Sequence, residues 1–239
     1  KNTPFGLQGF VNGDLAEVFI DRQRVQSLAG TVKPHATLSE EWLSLMRVDV
    51  QVNAPYFWYV VRKWKGGDSI GVDAGPLNSW EEVRAKQLAY GIPDTRVFVD
   101  SGDQTVEVYR KCWEHHDPVN GYLPAETGAI PMCWTPVKGD EGRKLYFDTL
   151  EKKASPIRIT RHDPFQGTRE AGQFQIELVT FRSDWFKDVL EALRNGRLGY
   201  SWTVEEAVAT PDYQRQLLSE ENRGFVHSRT GRVVYKWAK

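Results

Sequence analysis

Leu45-Met46-Arg47-Val48-Asp49-Val50-Gln51 and Arg96-Val97-Phe98-Val99-Asp100-Ser101-Gly102 are two apolar strand patterns, and each ends on an aspartate. Taking a carboxylate out of water costs several kcal/mol, so a strand that keeps one supplies a metal, a cation or hydrogen bonds. Two such strands suggest a shared metal. Outward from the first lie Tyr56 to Trp64, rich in aromatic and β-branched residues, a tight turn at Gly66-Gly67-Asp68, and Ser69 to Leu77. Together these read as a three-strand antiparallel meander.

Asn78 then opens a helix with Trp80, Val83, Leu88 and Ala89 at helical spacing, and Gly91 with Pro93 ends it. Arg96 to Asp100 is nearly all apolar, as a strand buried on both faces requires. Gln104 to His115 follows as a helix with Val108, Cys112 and Trp113 toward the core, and Ile130 to Val137 as a fifth strand ending at Lys138-Gly139-Asp140. Lys144 to Leu150, Ile157 to Arg161 and Phe174 to Phe181 are further strands, and Ser183 caps an amphipathic helix from Trp185 to Asn195, closed by Gly196. Residues 203–222 contain helical pieces, and Gly224 to Trp237 reads as a terminal hairpin turning at Thr230-Gly231. Ahead of all this, residues 1–36 read as an irregular arm with one short helix, Leu15 to Leu28, and the capping box Thr37-Leu38-Ser39-Glu40 starts another through Trp42.

The order strand, strand, strand, helix, strand, helix, strand predicts an α/β fold: a mixed sheet with helices on both faces. In the ribonuclease H-like arrangement the first and fourth strands lie side by side, which brings Asp49 and Asp100 together. Two hard carboxylates suit Mg²⁺ or Mn²⁺, and a pair of such ions about 3.5–4 Å apart serves both ends of an in-line phosphodiester displacement.

Composition narrows the classes. A chain of 239 residues with 40% apolar content can bury a core as one domain, and no stretch is long and apolar enough to span a bilayer. Cys112 and Cys133 are too few and too far apart for a structural zinc site and fit reduced core thiols of a cytosolic protein. The net charge of −1 hides an uneven distribution: Lys138, Arg143, Lys144, Lys152, Lys153, Arg158, Arg161 and Arg169 cluster mid-chain. With no start methionine or signal peptide at Lys1-Asn2-Thr3-Pro4, the chain is expected to be a piece of a longer protein. No Gly-x-x-x-x-Gly-Lys-Ser/Thr loop is found, so no ATP hydrolysis is expected of it.

Around these residues the chain resembles the nuclease domain of the large terminase subunit of tailed bacteriophages, nearest the lambda-type branch. The likeness rests on Arg47-Val48-Asp49-Val50-Gln51 with the aromatic strand to Trp64, on Val99-Asp100-Ser101-Gly102 with Thr105, Val108 and Tyr109, on Pro136-Val137-Lys138-Gly139, and on Asp212-Tyr213-Gln214-Arg215-Gln216-Leu217 with Glu220. The resemblance implies a ribonuclease H-like, metal-dependent endonuclease over residues 37–239 that cuts double-stranded DNA during viral genome packaging with little sequence preference. It implies that residues 1–36 link to an N-terminal ATPase domain, with the portal and small terminase subunit as partners in the host cytoplasm.

By the same resemblance Asp49 bridges the two ions and Asp100 holds one, while Lys138 contacts the scissile phosphate. A third acid normally completes such sites; Asp184, Asp163 or a residue beyond Lys239 is expected to supply it. Each residue also has a plainer reading: Asp49 as a strand-end acid satisfied by water or Arg47, Asp100 as a turn aspartate before Ser101-Gly102, and Lys138 as a loop lysine ahead of a glycine. His115-His116, at a helix end, reads as a charge-dipole pair rather than a metal site. Tyr56-Phe57-Trp58-Tyr59 reads mostly as packing, and Ser228 to Lys239 as an exposed hairpin or a contact to a DNA backbone. A transposase or resolvase of the same fold, or a docking domain with an incomplete metal site, are the alternatives.

Overall fold

The computed structural model describes residues 31–34, 41–102, 105–115, 134–141, 144–148 and 152–217, together with the backbone of 221–226 and 233–238. The expected helix over Leu15 to Leu28 and the box at Thr37 to Glu40 lie outside the described residues. The chain divides into two compact units, the larger being Thr31–Ala209.

A nine-stranded sheet organises that larger unit. Its strands are β1 (Val32–Lys33), β2 (Leu43–Val50), β3 (Phe57–Lys65), β4 (Asp68–Leu77), β5 (Val97–Asp100), β6 (Thr135–Asp140), β9 (Ile157–His162), β10 (Ile176–Arg182) and β11 (Trp202–Glu205). They lie in the order β1-β11-β4-β3-β2-β5-β6-β10-β9. The β1/β11, β11/β4, β2/β5, β5/β6 and β6/β10 pairings are parallel, and β2/β3, β3/β4 and β9/β10 are antiparallel. All strands except β3 and β9 therefore run one way. Between β6 and β9, β7 (Tyr146–Asp148) and β8 (Lys153–Ser155) pair as a separate hairpin.

Alternation along the strands decides which face is core. Met46, Val48 and Val50 of β2, Phe57, Tyr59 and Val61 of β3, and Val97 and Val99 of β5 all point to one side and are buried. Fully burying side chains of this size stabilises the fold by about 1.5–3 kcal/mol each. Two helices, α1 (Trp80–Ala89) and α2 (Thr105–Glu114), cover that side through Val83, Val108 and Cys112. The cover has a polar centre. Gln87 is 1% exposed, yet its amide donates to Ile92 O (2.8 Å) and Asp94 Oδ1 (2.7 Å) and accepts from Trp134 Nε1 and Arg84 Nη1 (both 2.8 Å).

Several expectations are corrected in detail. Ser79, not Asn78, caps α1: its side chain accepts from Glu82 N (3.2 Å), while Glu82 Oε2 reaches one residue past the cap to accept from Asn78 N (2.8 Å). Leu88 is 62% exposed, and Gln87 takes the buried position because its four hydrogen bonds offset its polarity. Glu41 and Trp42 form a turn and a bend that lead straight into β2 rather than helix. The strand expected from Lys144 to Leu150 is only three residues long and stays off the main sheet.

A third helix, α3 (Ser183–Arg194), covers the opposite face. Phe181, which shares that face with Gly139, meets Phe186 edge-on at 5.6 Å, and the Arg194 guanidinium lies 5.6 Å from the Trp202 ring. Ser183 is the first residue of α3 and not its cap; its hydroxyl donates to Asp140 O (3.1 Å). It comes so close to β6 that a Cβ on Gly139 would sit 2.9 Å from Ser183 Oγ. Gly196 (φ 67°) ends α3 as expected. Beyond this, β11 is a strand where helical pieces were expected, and among the described residues there only α4 (Pro211–Leu217) is an α-helix.

The second unit contains α4, with Thr210 Oγ1 accepting from Tyr213 N (3.2 Å), and the antiparallel pair β12 (Glu221–Val226) and β13 (Val233–Ala238). That pair is the expected terminal hairpin; its turn lies outside the described residues.

Candidate metal centre at the ends of two parallel strands

Parallel pairing of β2 with β5 matches Met46 to Val97, Arg47 to Phe98 and Val48 to Val99. The next step of that register sets Asp49 beside Asp100, at the carboxyl ends of both strands. Open α/β sheets gather their ligand sites at this end. Because Val48 and Val99 belong to the core face, both aspartates project from the other one and are partly exposed.

The immediate partners are few. Gln51, two residues on, donates from Nε2 to Asp49 Oδ2 (3.3 Å), and Gly102 N donates to Asp100 Oδ1 (2.9 Å). One oxygen of each carboxylate is thus engaged by protein. Burial pushes the Asp49 carboxyl above the usual carboxylate range; the Gln51 hydrogen bond and Arg47 oppose the shift, while the charge and hydrogen bonding of Asp100 add to it. Two acids within hydrogen-bonding reach resist ionising together, which is the electrostatic condition that a divalent cation relieves. The donor set is hard oxygen, matching Mg²⁺ or Mn²⁺.

The other expected residues fall elsewhere. Lys138 is exposed, but β6 pairs Val137 with Asp100, so the next residue points to the opposite face of the sheet. Alternation removes Lys138 from the carboxylate pair. Asp163 directs both oxygens into its own loop, accepting from Phe165 N and Gly172 N (each 2.8 Å), and follows the edge strand β9. Its role is to close that loop. Asp184 lies in the first turn of α3, on the helix that covers the face from which the carboxylates project, and is not drawn into a ligand group with them. Among the described residues no group of three His, Cys, Asp or Glu side chains is drawn together.

Two further residues border the pair. Trp58 lies directly across from Asp49 in the β2/β3 register, half-buried on the carboxylate face, whereas Phe57 and Tyr59 fill the core. The aromatic run is therefore packing on one side and site wall on the other. Gln51 could have been found from spacing, since i and i+2 share a strand face.

His115 departs from the charge-dipole reading. Its ring stacks on Trp134 with centroids 3.9 Å apart, and burial followed by the nearby Arg84 charge hold it below the usual histidine range, favouring the neutral form. His116 and Cys133 lie outside the described residues, and Cys112 is fully buried. No described helix is long and apolar enough to cross a membrane. Comparison with protein-family models, curated proteins and solved structures finds no match to this chain.

Proposed function

We propose that this chain is a metal-dependent endonuclease with a ribonuclease H-like core, of the kind attached to the packaging motor of tailed phages. The observation that carries the reading is the side-by-side placement of Asp49 and Asp100 on adjacent parallel strands. Further support comes from the central order β4-β3-β2-β5-β6, in which the first and fourth strands of the core are neighbours.

In this reading Asp49 and Asp100 would be the residues that hold Mg²⁺ or Mn²⁺, oriented by Gln51 and Gly102. Such an ion, when bound, would make water a better nucleophile and neutralise charge on the leaving oxygen. Gln51 keeps the Asp49 carboxylate turned along the strand, and the Gly102 amide fixes that of Asp100. Arg47, exposed and on the same face, is placed to meet a phosphate oxygen, and Trp58, across from Asp49, walls the site. These contacts address backbone and carry no base readout, so double-stranded DNA is expected to be cut with little sequence preference.

The test is conversion of supercoiled plasmid at low salt with Mg²⁺, with Mn²⁺ and with EDTA, beside Asp49→Ala and Asp100→Ala. Nicking that needs metal and is lost in both variants is expected. Metal-dependent nicking that survives in both variants would place the chemistry elsewhere, and no nicking in any metal would favour a docking role for this chain.

A further inference from the structure

On the side of the sheet covered by α1 and α2, away from the carboxylates, α2 and the loop that follows β9 border an open cleft of about 380 Å³ lined by Arg110, Phe165, Thr168, Arg169 and Glu170. Its charge is unbalanced. Arg110 Nε is buried without a hydrogen-bond partner, and among the described residues neither Arg110 nor Arg169 forms a salt bridge. Arg110 as a whole is half-buried, but an N–H drawn out of water with no acceptor is costly, and an anion beside it offsets that cost. Glu170, exposed, supplies one negative charge against two positive ones.

The back wall is an aromatic cluster. Phe165 meets Trp113 edge-on at 6.0 Å and Phe174 at 5.3 Å, and Trp113 in turn meets Phe174 at 4.7 Å. The loop in front is tied down: Asp163 accepts from Phe165 N and Gly172 N, Thr168 Oγ1 donates to Phe165 O (2.8 Å), and Glu170 N donates to Thr168 Oγ1 (3.2 Å). Arg169 thus stands on a hydrogen-bonded loop and Arg110 on α2, beside a packed aromatic ring. Planar guanidinium groups recognise phosphate oxygens by paired hydrogen bonds, and an aromatic face accepts a flat base.

We propose that this cleft binds the phosphate of a nucleotide, free or within a strand, with Arg110 and Arg169 on the phosphate and Phe165 against the base. The proposal does not rest on the carboxylate pair, which lies on the other face of the sheet.

Binding is measured in EDTA by calorimetry with AMP and with inorganic phosphate, and by fluorescence anisotropy with a labelled single-stranded oligonucleotide. Arg110→Gln and the surface variant Arg169→Gln are each expected to weaken all three about tenfold. Phe165→Leu is expected to weaken AMP and the oligonucleotide while sparing inorganic phosphate, which separates stacking from anion binding. A strand as the source is read from tighter oligonucleotide binding whose salt slope drops by about one in each arginine variant, a free nucleotide from AMP binding more tightly than the oligonucleotide. The proposal is overturned if wild-type protein binds none of the probes at millimolar concentration, or if Arg169→Gln, with its circular dichroism unchanged, binds them all as wild type does.

Discussion

Asp100→Asn separates a charge pair built for a cation from two ordinary strand-end acids. The amide oxygen of asparagine can still accept from Gly102 N, so the turn after β5 is kept and only the charge beside Asp49 is lost. Two unit charges about 4 Å apart repel by roughly 1 kcal/mol in water and roughly 4 kcal/mol at an effective dielectric of 20. Since both side chains are partly exposed, the lower end applies, and relief of about 1 kcal/mol is expected in metal-free protein at neutral pH. For a chain of this size that raises Tm by about 2–4 °C. The sign with pH follows from the raised Asp49 pKa. Folded protein binds more protons than unfolded protein above the unfolded carboxyl pKa, so this group's contribution falls as pH rises from there through the folded value. The variant should flatten that fall. Wild type should also gain stability with Mn²⁺, by about 2.7 kcal/mol at a hundred times the Kd, and the variant should lose most of the gain. Differential scanning fluorimetry in EDTA and in Mn²⁺, between pH 4 and 8, reads both effects. An Asp100→Asn protein that is less stable than wild type in EDTA and equally responsive to Mn²⁺ would refute the reasoning.

Three further outcomes test the frame that holds the site. Gln87→Ala should cost about 2–4 kcal/mol in urea unfolding, because it leaves a cavity and strips Trp134 Nε1 of its acceptor. Ser79→Ala should cost about 1 kcal/mol by the same measurement, with Ser79→Asp close to wild type, since either side chain can accept from Glu82 N. His115→Phe should remove a pH dependence of stability. The neutral ring on Trp134 is favoured above the unfolded histidine pKa of about 6.5 and penalised as pH falls through the lower folded value, so wild type should weaken below about pH 6.5 while the variant does not.

Much of the central sheet was legible because period-two alternation and turn chemistry agree there. In β2 and β3 the residues that alternate in the sequence are those that alternate in burial, and Gly66 (φ 60°) turns β3 into β4 where the double glycine predicted it. β11 escaped because Trp202-Thr203-Val204-Glu205 is a four-residue strand whose neighbours, β1 and β4, are remote in the chain. Its place is stated by long-range contacts: Arg62 donates to Ser69 Oγ (3.0 Å) and Thr203 O (3.1 Å) and lies 4.2 Å from the Trp202 ring. Nothing local in residues 199–206 encodes that partner. The same holds for Gln87, whose burial depends on Trp134 and Ile92 closing around it, whereas helical periodicity points to Leu88.

At the site, the sequence was sufficient for the pair and insufficient for its surroundings, and the difference is geometric. Asp49 and Asp100 each end a recognisable strand, so adjacency of the two strands is the one further fact needed to unite them. Lys138 needed a second fact, the register between β5 and β6. One residue of register decides the face of a sheet, and the pairing of Val137 with Asp100 sends Lys138 to the far side. Arg47 and Trp58 gain their places by the same rule, as residues whose partners put them on the carboxylate face. If the pair handles phosphodiesters, the cation facing the substrate is therefore Arg47. Arg47→Ala should then weaken DNA binding in EDTA with a shallower salt dependence, and Lys138→Ala should leave both as they are. The reverse pattern would break the register argument itself.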